Sequence, residues 1–200
     1  LTAPSAFEIR RYEDSDEQGW VRCRVLAFLD SAFFDDVRRE KERYDGRAVE
    51  LVAVSDDLVV GLLDLELEPA PGVLWNTDAR GGVIWHVAVH PDFRRRGIGS
   101  ALVGRAFELA RATRLEVVQA WTRDDPWVQA WYEACGFRKR YSYLHVYLRP
   151  HEVADEVTMR TEGLRPVFAF AHYVGGPPVE DELRTRFERT HEDVLYERAV

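Results

Sequence analysis

The sequence predicts an α/β (α+β) fold, a mixed and mostly antiparallel sheet flanked by helices. Three observations carry this. Two runs rich in Val and Leu meet at Ser55, Asp56 and Asp57, as a hairpin does. The apolar run "VIWHVAVHP" is followed by a glycine turn, a stretch of helical period and a further run, "LEVVQAWT", a crossover that makes the two strands parallel neighbours. Finally, 200 residues that are 46% hydrophobic and 12% aromatic can bury a substantial core.

In chain order, "FEIRRY" alternates as a first strand. The acidic "EDSDEQGW" then starts a helix, with Asp14, Ser15 or Asp16 as N-cap, that continues through Val21, Val25 and Leu26. A second helix is expected from about Ala32 to Arg43, ending at the turn in "YDGR". "VELVAVSDDLVVGLLDLELEP" supplies strands two and three, and the breaker-rich "PAPGVLWNTDARGG" leads to the fourth, which stops at Pro91 because proline has no N–H for the ladder. Ala101, Leu102, Ala106, Phe107, Leu109 and Ala110 recur at the spacing of one buried helical face.

"LEVVQAWT", then "DPWVQAWYEACGF" closed by Gly136, then "RYSYLHVYLRP" read as a fifth strand, a helix and a sixth strand. Residues 1–150 are thus expected as the core domain. Residues 151–200 are expected as a C-terminal extension that completes the sheet with "VFAFAHYV". Beyond a hinge-like Gly175 to Pro178, a final helix packs on the core through Leu183, Phe187, Val194 and Leu195.

A formal net charge of -8 gives no general attraction to nucleic acid or an anionic membrane, and three arginines make no extended basic face. No apolar run approaches the roughly 18 to 20 residues of a bilayer span, and the start lacks a signal-peptide core, so a cytoplasmic location is expected. Cys23 and Cys135 are read as reduced thiols. The six histidines stand in no metal-ligand spacing, so no metal is expected.

"HPDFRRRGIGSAL" has two readings: a tight turn with solvated arginines, or an anion cradle formed by amides from Arg95 to Ser100 at a positive helix end. It fits neither a P-loop, since no lysine follows Gly99, nor a dinucleotide fingerprint, since Leu102 stands where a third glycine belongs. What stands is R-x-x-G-x-G, formed by Arg94, Gly97 and Gly99, preceded by "VAVHPDF", followed by "SALV" and later by "WYEACGF". This ordered set, over about residues 83–137, resembles the acetyl-CoA signature of the GNAT N-acetyltransferase superfamily. The element order extends the likeness over about residues 6–150.

The resemblance implies an acyltransferase that moves an acetyl group from acetyl-CoA to an amine by direct attack in a ternary complex, with CoA as product. Backbone groups of Val87, Ala88 and Val89, on a fourth strand splayed from the fifth, would hold the pantetheine by strand addition. Arg94, Arg95, Arg96, Gly97, Ile98, Gly99 and Ser100 would bind the diphosphate. Tyr132 matches the general-acid position, and His86 stands in for the acid often found on the fourth strand as base. Asp64, Glu66 and Glu68 are relay candidates or a solvated strand face.

Asp125 replaces an asparagine common in the family and is read instead as the N-cap of the helix at Pro126. Trp20, Phe28, Trp75 and Trp85 are read as core. Phe33, Phe34, Asp35 and Asp36 are candidates for an acceptor pocket taking a small-molecule amine. A non-catalytic acyl-CoA sensor and a protein or peptide N-acetyltransferase stay open as alternatives. Exchange of the extension between chains would make a homodimer.

Overall fold

The computed structural model describes residues 7–200, so the first six residues of the unit expected over 1–150 lie outside the described residues. The elements are β1 (Glu8–Arg11), α1 (Glu17–Leu29), β2 (Ala48–Ser55), β3 (Leu58–Leu67), β4 (Gly81–Val89), α2 (Ile98–Arg111), β5 (Val117–Thr122), α3 (Pro126–Ala134), β6 (Arg138–Leu148), α4 (Pro150–Glu156), β7 (Ala169–Tyr173), α5 (Val179–Arg186) and β8 (Arg189–Ala199). They build one sheet in the order β1-β2-β3-β4-β5-β8-β6-β7. Among the described residues its single parallel pair is β4 with β5, so the expected mixed, mostly antiparallel α/β architecture is present.

The β2–β3 hairpin turns on Asp56 and Asp57, both at positive φ (47° and 62°), the conformation of a two-residue turn that matches strand twist. On one face of the sheet α1 buries Trp20 and Cys23 against Val52, Leu62 and Ala88. On the other, α2 buries Leu102, Ala106 and Phe107 against β2, β3 and β5. The start of α2 sits directly on β3: a Cβ on Gly61 would lie 2.7 Å from Ile98 Cγ2. That close approach fixes the glycine turn against the sheet.

Two expectations fail. Residues 32–43 form turns and irregular chain instead of a second helix. Phe34 and Val37 are exposed, so a helical stripe would have had no core to face, and the polar side chains bond to other elements instead: Asp36 to Arg24, Lys41 to Asp64. The final helix is also overturned. Helix α5 ends at Arg186, and residues 189–199 are β8, wedged between β5 and β6. Asp193 to Tyr196 are all buried, as in a central strand covered on both faces. Such a run has no period by which to tell it from a buried helix. Helix α4 was not expected; it lies within the segment read as polar. Among the described residues no helix is long and apolar enough to cross a membrane.

Candidate active site

Strands β4 and β5 pair only from Gly81 to Ile84 against Val117 to Ala120, and then diverge. Backbone groups alternate sides along a strand. His90 N–H donates to Val60 O on β3 at 2.9 Å, so Val87 and Val89 turn their N–H and C=O toward the cleft with β5. Ala88 faces β3 and is buried.

At the end of β4 the chain makes a 3-10 turn, Pro91–Phe93, and enters α2 through Gly97 at φ +80°. Nothing lies within 4 Å of the position a Gly97 Cβ would take. The first helical bond of α2 runs from Ala101 N–H to Gly97 O, at 3.0 Å. No side chain caps the helix, so the amides of Ile98, Gly99 and Ser100 and the positive end of the helix are left for an anion.

The arginines divide. Arg94 reaches back to the end of α1, donating to Ala27 O at 3.0 Å, and Arg96 donates to Asp92 O at 3.0 Å while lying over Phe93. Arg95, at φ 64°, is exposed. Ile98 is buried in the core, and a Cβ on Gly99 would lie 3.2 Å from Trp131 Cζ2. Ser100 Oγ accepts from Trp131 Nε1 at 3.2 Å and from Cys135 Sγ at 3.7 Å. Helix α3 thus closes on the start of α2.

Tyr132, between those two α3 contacts, is 3% exposed. Its ring stacks on Tyr196 at 5.3 Å and meets the edge of Phe137 at 5.3 Å. Burial, then Cys135 and Tyr196, raises its phenol above the ordinary value. The hydroxyl therefore keeps its proton at neutral pH.

His86 lies across the sheet, on the face covered by α1, and opposite Asp64 in register. Its Nδ1 accepts from Arg24 Nε at 3.2 Å, which leaves the proton on Nε2 to donate to Glu42 Oε2 at 2.8 Å. Burial, followed by the charge of Arg24, lowers its pKa to about 4 against the pull of Glu42. The ring is neutral and both nitrogens are engaged.

Asp64 is fully buried, accepts from Tyr44 at 3.2 Å, and lies 3.2 Å from Lys41 Nζ. Desolvation pushes it up to about 6, although Lys41 opposes. Glu66 accepts from Trp85 Nε1 at 2.8 Å, and Glu68 pairs with Arg80 and Arg47. The row is therefore not one solvated face. Trp85 itself is exposed, contrary to the core reading, while Trp20 is wholly buried.

Asp125 stands at the N-cap of α3, as expected, but makes no side-chain capping bond. Its carboxylate instead takes the N–H of Ala32 at 3.0 Å. Residues 31–36 run from the end of α1 to the ends of β5 and β8, held by this bond, by Arg123 donating to Ala32 O, and by Arg24 donating to Asp36 O at 2.7 Å. An open hollow of about 470 Å³ is bounded by Glu17 and residues 37–43; it touches Glu42 and not the glycine turn.

Sequence reasoning missed Arg24, Lys41, Glu42, Arg123 and Arg189. Charged residues on a helix or in an irregular segment carry no periodic signal that they turn inward.

The model of the acetyltransferase (GNAT) family matches residues 10–137. No curated protein sequence matches the chain. Among solved structures, a tandem GNAT protein from the clavulanic acid biosynthesis pathway superposes with a TM-score of 0.59 at 24% identity, covering 79% of this chain and 53% of that one. The chain therefore spans about half the length of the tandem protein. The ribosomal-protein-alanine N-acetyltransferase of Brucella melitensis gives 0.58 at 15% identity, covering 96% and 99%. The PaiA N-acetyltransferase of Thermoplasma acidophilum, in complex with coenzyme A, gives 0.52 at 12%, covering 68% and 91%. At these identities the likeness establishes a common fold.

Proposed function

Since the chain belongs to the GNAT acetyltransferase family, we propose that it moves an acetyl group from acetyl-CoA to a primary or secondary amine of a small molecule, by direct attack in a ternary complex. The observation that carries this is the meeting of two features at one end of β4: backbone groups turned into the cleft with β5, and an uncapped helix start behind Gly97. One suits the amides of pantetheine, the other a diphosphate.

The residues present fit that group. Amides of Arg95 to Ser100 and the Ser100 hydroxyl would hold the diphosphate, with Arg95 as the exposed charge beside them. Arg94 and Arg96 act chiefly by fixing the loop, through Ala27 and Asp92. Val87 and Val89 would bind pantetheine through the backbone. When bound, acetyl-CoA supplies an activated acyl carbonyl and a thiolate leaving group.

Tyr132 holds a proton that its buried setting keeps in place, and would donate it to the leaving thiolate of acetyl-CoA. For the acceptor's proton we assign the His86–Glu42 pair. With Nδ1 held by Arg24, the imidazole donates its Nε2–H to Glu42 and fixes that carboxylate, which is partly exposed, borders the hollow and takes the acceptor's proton.

Thiol release from acetyl-CoA against a panel of small amines, polyamines, aminoglycosides and peptide N-termini tests the reading. Turnover with a small amine supports it. Cofactor binding with no transfer to any member would overturn it in favour of a sensor, and transfer to peptides alone would move the substrate to proteins.

A further inference from the structure

The carboxylate of Asp35 is gripped by two guanidinium groups. It accepts from Arg189 Nη1 at 2.6 Å and Nη2 at 3.0 Å, and lies 4.0 Å from Arg123 Nη1. Both arginines rest on aromatic rings: Arg189 is 3.8 Å above Tyr147 and 4.6 Å from Phe34, and Arg123 is 4.3 Å from Phe33. Arg123 and Arg189 have side-chain exposures of 10% and 18%, whereas Asp35 is 41% exposed. A planar, two-armed anion site thus has a solvent-accessible occupant.

Asp35 is not needed to hold its own segment in place. The backbone on either side is fixed at Ala32 by Asp125 and Arg123, and at Asp36 by Arg24. Its side chain can swing out while those bonds persist. Arg123 is also under-used. Of the five N–H donors a guanidinium carries, it commits one hydrogen bond among the described residues, to Ala32 O. Its buried Nε has no hydrogen-bond partner and stands 3.5 Å from Asp193 Oδ1. Exchanging one carboxylate for another keeps the charge pairing and can add a bond that Asp35 does not make.

Arg123 directly follows β5, at the end that diverges from β4, and Arg189 opens β8. We propose that Arg123 and Arg189 form a carboxylate-binding site in which Asp35 is a built-in competitor, and that the acceptor amine bears a carboxylate, as an amino acid does. The acceptor assignment rests on the acetyltransfer reading; the carboxylate site does not.

The test is calorimetric titration of the full chain with the common amino acids and their decarboxylated amines, followed by the same compounds with acetyl-CoA under thiol detection. At least one amino acid should bind tenfold or more tightly than its decarboxylated amine. Asp35→Asn should tighten that binding several-fold, and Arg189→Gln should erase the preference. Should Arg189→Gln fail to fold, Arg189→Lys keeps the charge without the two-armed geometry and should still reduce it. No preference for a carboxylate anywhere in the panel, or one indifferent to both position 189 variants, overturns the site. Acetyl transfer to amines without that preference would leave the enzyme reading standing and remove this one. Carboxylate preference with no thiol release would do the reverse.

Discussion

Replacing Asp64 with Asn should uncover a pH dependence of stability that the native chain conceals. His86 has a pKa of about 4 in the folded protein against 6.5 ordinarily, and Asp64 about 6 against 3.8. Between pH 4 and 6.5 the unfolded chain holds a proton on His86 that the folded chain does not. The histidine therefore makes stability rise with pH, by about 1.4 kcal/mol per unit. Asp64 has the opposite sign. Between pH 3.8 and 6 the folded chain holds a proton that the unfolded chain has lost, so its contribution falls as pH rises at the same rate.

Over pH 4.5 to 6 the two slopes oppose and largely cancel. Asp64→Asn should leave the rising limb of His86, and His86→Gln should leave the falling limb of Asp64. Urea denaturation at half-unit steps across this window reads both, and only the slopes matter, because each substitution also shifts stability at every pH. If both variants run parallel to the native protein, the burial-driven assignment of the two groups is wrong.

Three further outcomes are expected. Tyr132→Phe should lower turnover by roughly 10² to 10⁴ with CoA affinity retained; its melting curve should barely move, because the ring keeps its stack on Tyr196. Equal turnover would remove the general-acid role. Gly97→Ala should cost about 1 kcal/mol in a denaturant titration through the left-handed backbone alone, since its Cβ meets nothing within 4 Å, and CoA binding should weaken beyond that. With iodoacetamide and mass spectrometry, Cys135 should be modified in the native protein and Cys23 spared, because Cys23 is 1% exposed with its thiol pushed up to about 12. Saturating CoA should slow reaction at Cys135, whose sulfur lies 3.7 Å from Ser100 Oγ; no protection would argue against CoA lying along that helix start.

The turn at the end of β4 was legible because its geometry is local. A strand end, Gly97 and Gly99, and an apolar helical stripe lie within a few residues of one another, and local geometry follows from them. Tyr132 was named only through the resemblance of "WYEACGF" to the family's element. The buried charge clusters were opaque for the opposite reason. Arg24 meets Asp36 and His86, Lys41 meets Asp64, and Arg189 meets Asp35 across 154 positions. All but the Arg24–Asp36 pair join segments that the sheet brings together, and each charged residue taken singly reads as a solvated surface residue. The run from Ala32 to Arg43 failed for the same cause: long-range bonds outweigh helical propensity there. For β8, burial on both faces erased the alternation that would have marked a strand.

The placement of β8 also orders the assembly of the molecule. Strands β5 and β6 are each complete well before it in the chain, yet each keeps one edge unpaired until residues 189–199 slide in between them. Until then the nascent protein carries two open strand edges facing the slot that β8 fills, and edges of that kind recruit other chains. A fragment lacking this one insert should accordingly lose solubility before it loses helix.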